Sequence, residues 1–478
     1  MHIAVPETTF STQVIDKIYR SLENKTAPIR LIRSMEKQTP QPEAFIPYPR
    51  QDIVQLCMQD GRLDLATAGT FQSFCDLLAA FYHIQFHSAL ETLKENYRVF
   101  NPNAEIQPLF EESLQEREQM AAQVVHTFKQ ILEQANYYPM PNEVIQQSLA
   151  DRSLVQLKTE VDFNDFEDFL CYCRGDVNKT TTKKRFVFWE KEHTIDIFER
   201  LVLLIRFKGP GHFRAKANRQ QSALGRTFDP GKMYVYFYKN IPKLDLDLLF
   251  PNTQTSMTLR DRVMLIGPAI GAAVPLLIKT LPNVLLLIAA IMIAVNARSA
   301  LQSINVEEDQ ARQVMPVLIA TLTLAIALGG FAVKQYSQYK NKRIKFQKEV
   351  TDTLFFKNLA NNASVFQMLV DLAEEEECKE VILVYYHLLT SPTPLTAPAL
   401  DAKIEAWLLE KTGKTINFDI QGPLQNLEKI RGCTQPGGKR QSLLTYDSQN
   451  RCQVLSLEQA RTVLDYVWDN LFRYNGSL

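Results

Sequence analysis

VMLIGPAIGAAVPLLIKTLPNVLLLIAAIMIAV, Val263–Val295, is the most apolar stretch of the chain, and its reading decides how everything else is organised. A helix needs about 20 mostly apolar residues to cross a bilayer. This stretch is interrupted by Pro268, Pro275, Lys279 and Pro282. Two readings compete: a single kinked span with an apolar run-in, or two short passes broken near Lys279–Pro282. A turn that short at membrane depth would leave backbone groups poorly satisfied. A second segment, PVLIATLTLAIALGGFAV (Pro316–Val333), carries no charge.

Flanking charge favours the hairpin. Arg260 and Arg262 precede the first segment, and Lys334, Lys340, Lys342, Arg343, Lys345 and Lys348 follow the second. Between them, Arg298 and Arg312 are opposed by Glu307, Glu308 and Asp309. Lys and Arg are retained on the cytoplasmic side. The expectation is two spans, within 263–297 and 315–334, with both large flanking parts and both termini on the cytoplasmic side. Lys279 is then an intramembrane charge, either functional or snorkelling to the headgroups. Small residues such as Gly267, Gly271, Gly329 and Gly330 would allow close helix packing and a homo-oligomer.

The chain has 478 residues, 46% hydrophobic, with a formal net charge of zero. That argues against a disordered chain and against an electrostatic grip on nucleic acid. Seven scattered cysteines suggest reduced thiols. MHIAVPETTFSTQ lacks the charge pattern of a signal or transit peptide, so insertion is expected to rest on the internal segments.

Outside the hairpin (259–335) the sequence reads as α+β. Residues 1–150 are expected to be helical, with long helices over Thr70–Val99 and Leu109–Asn136. Residues 151–258 read as a small, mainly antiparallel β domain of three to five strands, one face packed on helices. Its clearest strands are RFVFWE (Arg185–Glu190), HTIDIFERLVLLIRFK (His193–Lys208) and KMYVYFYKN (Lys232–Asn240), with a long loop at Gly209–Gly231. Residues 336–395 read as a helical arm, broken at Asn361–Asn362, whose Glu374–Glu377 run is expected to face solvent. Residues 396–478 show a helix, helix, hairpin, helix order, the outline of a winged-helix-like module. Its candidate recognition helix is neutral, so protein contacts are favoured over DNA.

Chemistry is sparse. His83, His87 and Glu91 share one helix face, and His126 could add another metal ligand, but neither HExxH nor the pair of Glu-x-x-His motifs used by di-metal bundles is present. These residues are weak candidates, and no metal or other cofactor is expected. Cys171 and Cys173 read as small core residues. No P-loop, GxSxG or kinase set appears, so no catalytic residue is assigned. Arg206, Lys208, Arg214, Lys216, Arg219, Arg226 and Lys232 stand against Asp229 alone and form a candidate surface for anionic lipid.

Five strings carry a resemblance: AFIPYPRQDI (Ala44–Ile53), FEDFLCYCRG (Phe166–Gly175), FERLVLLIRFK (Phe198–Lys208), KNIPKLDLDLLFPNT (Lys239–Thr253) and FFKNLANNASVFQMLVDLAEEEECKEVILVYYHLL (Phe355–Leu389). Together they resemble an uncharacterised two-span membrane-protein family. It includes mitochondrial transmembrane protein 143 of animals and relatives in plants and cyanobacteria. The resemblance implies two spans and an energy-transducing or organellar membrane, and no activity. The missing leader points to a bacterial plasma or thylakoid-type membrane. The functional expectation is a membrane-anchored scaffold or regulatory protein binding protein partners or anionic lipid. The alternatives are a homo-oligomeric channel or transport component, and a metal-dependent enzyme.

Overall fold

VILVYYHL, residues 381–388, leaves a helix no polar face, and such a helix has to be buried. In the computed structural model it runs through the centre of the protein. The structure describes residues 43–105, 109–141, 144–145, 158–186, 189–219, 228–256, scattered positions from 323 to 352, 354–435 and 438–470.

Helices α1 (Arg50–Gln59), α2 (Leu65–Tyr97) and α3 (Leu114–Gln134) come first. Asp64 caps α2 by accepting from Thr67 N, and Ser113 and Glu116 form a reciprocal capping box on α3. The strands follow: β1 (Tyr138–Pro139), β2 (Lys158–Glu160), β3 (Phe166–Phe186) and β4 (Trp189–Phe207). Then come helix α4 (Pro210–Arg219), β5 (Met233–Pro242) and β6 (Gln254–Ser256). After residue 357 the chain forms β7 (Asn358–Asn361) and the central helix α5 (Ala363–Leu389). The remainder is α6 (Ala397–Thr412), α7 (Gln421–Lys429), β8 (Arg431–Cys433), β9 (Arg440–Ser442), β10 (Leu444–Tyr446), β11 (Cys452–Val454) and α8 (Leu457–Asp469).

Five strands make one antiparallel sheet in the order β1-β3-β4-β5-β7. Alternation along β4 and β5 sends Val202, Leu204, Val235 and Phe237 to one face and Leu201, Leu203, Ile205 and Tyr238 to the other. The first face packs on the helices. The second is covered by Leu246, Leu249 and Phe250, from the turn after β5, and by Phe213 of α4. Both faces are therefore buried, where one was expected, which is why LVLLIRF (201–207) reads as a continuous apolar run. Cys173 lies in that second core, and Cys171 packs beside it.

Around α5 the rings interlock. Phe74 stacks on Tyr385 at 4.1 Å, and Phe366 meets Tyr97 and Phe128 edge-on at 4.9 and 5.1 Å. One hydrophobic core runs from Ile46 to Leu464 and draws on α1, α2, α3, the sheet, α5 and the C-terminal elements. The stretches expected as a helical N-terminal region, a helical arm and a winged-helix-like end thus share a core. The C-terminal order of helix, helix, hairpin and closing helix is present, but α7 packs on α5 and α8 on α2.

Two local expectations are corrected. The Gly209–Gly231 stretch is not all loop: Pro210 opens α4, a position where its fixed φ suits a helix. The break at Asn361–Asn362 is the end of an edge strand, β7, which returns the chain to the same sheet as β5. Among the described residues no helix is long and apolar enough to cross a membrane. The expected first span and Lys279 lie outside those residues. So does most of the second, apart from positions such as Ile326 and Val333, which are helical and exposed.

Candidate functional site

The sequence places four glutamates in a row, Glu374–Glu377, and a solvated face was expected. The structure corrects this. Glu376 and Glu377 are buried, as are Lys379 and Glu380 one turn on. Burying an ion is costly unless it is paired or neutralised. Each of these groups is handled differently.

Glu376 is compensated as an anion. It accepts from Lys379 Nζ at 2.5 Å and from Ile46 N at 3.2 Å. Lys379 in turn donates to Ile46 O and Tyr48 O, at 2.6 and 3.1 Å. Burial still pushes the Glu376 carboxyl up, against the pull of Lys379. Among the described residues no cation is bonded to Glu380. Asn136 Nδ2 donates to it at 2.8 Å, and burial holds its carboxyl well above the ordinary range. Glu377 accepts from Asn426 Nδ2 of α7 and from the Gln134 side chain of α3, and burial raises it to about 7.

The segment before α1 crosses this cluster as a strap. Glu43 accepts from Gly175 N at 2.9 Å, and Gly175 takes φ +77°, which a side chain would strain. Arg174 is buried between the rings of Phe45 and Tyr137 at 3.7 and 4.5 Å, and donates to Ala135 O. Burial lowers the affinity of this guanidinium for its proton. Arg50 N donates to Glu375, and Asn417 N donates to Glu43 O. Three of the five strings quoted above (AFIPYPRQDI, FEDFLCYCRG and the Phe355–Leu389 string) therefore meet at one place. The buried hydroxyls of Tyr82 and Tyr137 have no hydrogen-bond partner among the described residues. Tyr82 lies within electrostatic reach of Glu377 and Glu380, and Tyr137 of Glu376.

The residues singled out from the sequence fall elsewhere. His83 stands on the outside of α2 and contacts Glu374 at 3.1 Å. His87 and His126 are exposed, and Glu91 pairs with Lys94 at 2.8 Å. Among the described residues no group of three or more His, Cys, Asp or Glu side chains is placed to hold a metal ion. The three histidines occupy faces of α2 and α3 that are turned away from the core.

The basic surface is also smaller than its sequence. Arg206 is buried, with a bidentate pair to Glu118 at 2.8 and 2.9 Å and a bond to Asp168 at 2.5 Å. Lys216 bonds Asp162 and Asp165 at 2.7 and 2.6 Å, and Lys232 donates to Val99 O at 3.0 Å. Lys208 is half-buried and Arg214 is exposed. The Arg219 side chain and Arg226 lie outside the described residues.

What this arrangement can do chemically is hold protons and bind segments of the chain to one another. Sequence reasoning missed it because glutamates in series read as surface. The available signal was the all-apolar continuation at 381–388, which buries every face of the same helix. No solved structure matches the chain. Residues 198–364, from mid-β4 through the apolar segments to the first turn of α5, match the model of the family described as "Protein of unknown function (DUF3754)".

Proposed function

We propose that the protein is a membrane-anchored scaffold or regulatory protein. It belongs with the two-span family whose strings it shares, the one that includes mitochondrial transmembrane protein 143. Its soluble body faces the cytoplasm from a bacterial plasma or thylakoid-type membrane, with both termini on that side, and gathers protein partners. The observation that carries the reading is the pairing of β5 with β7: Tyr236 pairs with Asn361 and Phe237 with Ala360. Both apolar segments lie between these two strands in the chain. A segment that leaves a folded body and returns to the adjacent strand of the same sheet crosses a bilayer an even number of times, if it crosses.

The route back supports the same reading. The described positions between Thr323 and Lys357 are helical, and Ile326, Val333, Tyr336 and Ile344 on them are exposed. Lys334, Lys340, Lys345 and Lys348 are exposed on the same stretch and, with the exposed Arg214 and the half-buried Lys208, are described cations that can meet anionic headgroups. Transport through Lys279 would be the alternative, and Lys279 lies outside the described residues.

Replacing residues 257–322 with a short Gly/Ser linker tests the anchor. The variant is expected in the soluble fraction, while the parent resists carbonate extraction from membranes. A parent released by carbonate would remove the reading.

A further inference from the structure

We infer that the docking of α7 on α5 is a proton-controlled clasp: α7 seats over Glu377 with that carboxyl protonated, and loosens when it ionises. The inference concerns the soluble body and stands whether or not the apolar segments cross a membrane.

The geometry separates three glutamates of one helix. Glu376 has its own cation, Lys379, at 2.5 Å. Glu380 is buried and covered from α3's end by Asn136. Glu377 lies between them at the contact with α7. Its partners are two neutral amides, Asn426 from α7 and Gln134 from α3. An amide can donate to a carboxyl in either protonation state, but it cannot neutralise a buried charge.

Every element around Glu377 contributes to its titration. From α7, Lys429 attracts the ionised form, and Asp419, in the segment leading into α7, opposes it. Glu380 of α5 is within electrostatic reach, and Glu376 lies beside Glu377 on the same helix. From α2 comes only the neutral Tyr82 hydroxyl, which has no partner among the described residues. Lys429 and Asp419 are both exposed, so solvent screens them, and burial is left as the leading influence. The carboxyl consequently titrates at about 7 in place of 4.5.

The sign follows. A carboxyl raised on docking stabilises the docked state fully below its ordinary value and ceases to do so as pH rises through the raised one. The apolar side of the clasp, Leu424 and Leu427, has no pH dependence of its own. The strap has its own bonds to the Glu376–Lys379 pair, which do not involve α7.

The test is hydrogen exchange of the full chain, corrected for intrinsic exchange rates, read on peptides covering residues 421–429. Between about pH 6 and about pH 8, opening of α7 is expected to rise about tenfold in the parent. In Glu377→Gln it is expected to stay flat, with β4 unchanged in both. Asp419→Asn is expected to lower the midpoint and Lys429→Gln to raise it. These two residues are exposed, so both variants can be read even if Glu377→Gln fails to fold. Equal protection of α7 at both pH values in the parent would overturn the inference. So would the parent's response persisting in Glu377→Gln, or a midpoint that neither charge variant moves.

Discussion

Lys379 shows what a single residue decides here. Its ammonium holds Ile46 O, Tyr48 O and Glu376 together, with both charged side chains almost wholly shielded. Removing one partner of a buried pair leaves the other charge uncompensated, at a cost of about 3–5 kcal/mol. Lys379→Met is therefore expected to lose about that much stability in urea denaturation. Lys379→Met with Glu376→Gln is expected to recover most of it, because the stranded charge is gone. A single-variant loss below about 1 kcal/mol would show that the pair is hydrated after all. Residue identity alone hid this site. Glutamate is among the residues least expected in a core, and the groups that satisfy these carboxylates, among them Ile46 N, Asn136 and Asn426, come from three distant stretches of sequence. The three histidines of α2 and α3 misled in the opposite sense. Their spacing was metal-like, but spacing does not report which face of the helix is turned inward.

Among the elements, long periodic helices were the most legible. The expected Thr70–Val99 and Leu109–Asn136 correspond to α2 and α3, and the alternation in KMYVYFYKN gave β5. Short elements fixed by tertiary pairing were not legible. β7 is four residues long and exists because β5 offers it an edge. Asn362 then turns the chain into α5 with φ 50°, a conformation asparagine tolerates better than most residues. Its Oδ1 accepts from Val235 N at 3.2 Å and Tyr97 Oη at 3.3 Å, joining β5, α2 and α5. Asn362→Ala is expected to cost about 1–3 kcal/mol, since Val235 N loses a buried acceptor. Exchange at residues 358–361 should quicken more than at β3, and equal quickening would argue against a local clasp. Gly432 of β8 makes a second test. A Cβ there would lie 2.8 Å from Val463 O of α8. Gly432→Ala should push α8 from the hairpin at a cost of about 1–3 kcal/mol. An unchanged melting temperature would contradict that packing.

At the scale of the whole molecule, the core joins residues on both sides of the apolar insertion. Ile46, Phe74 and Val202 share it with Val381, Leu408 and Val463. A protease site introduced at Ser303 should therefore leave two fragments that co-elute after cleavage in mild detergent. Fragments that part without denaturant would contradict a shared core. The sequence could report that apolar segments exist and that their flanks are basic. It could not report that the flanks fold together, because the pairing of Tyr236 with Asn361 joins residues 125 apart. Topology is the most direct measurement of the central claim, that one body on one side of a membrane is built from both flanks. Leu65→Cys, Tyr446→Cys and Ser303→Cys, each in a cysteine-free background, would be labelled with an impermeant maleimide in membrane vesicles of known orientation. Leu65 and Tyr446 are exposed on the body, from the first and second flank respectively. These two are expected to label from the same side and Ser303 from the other. Labelling of Leu65 and Tyr446 from opposite sides, or of all three from one side, would contradict that claim.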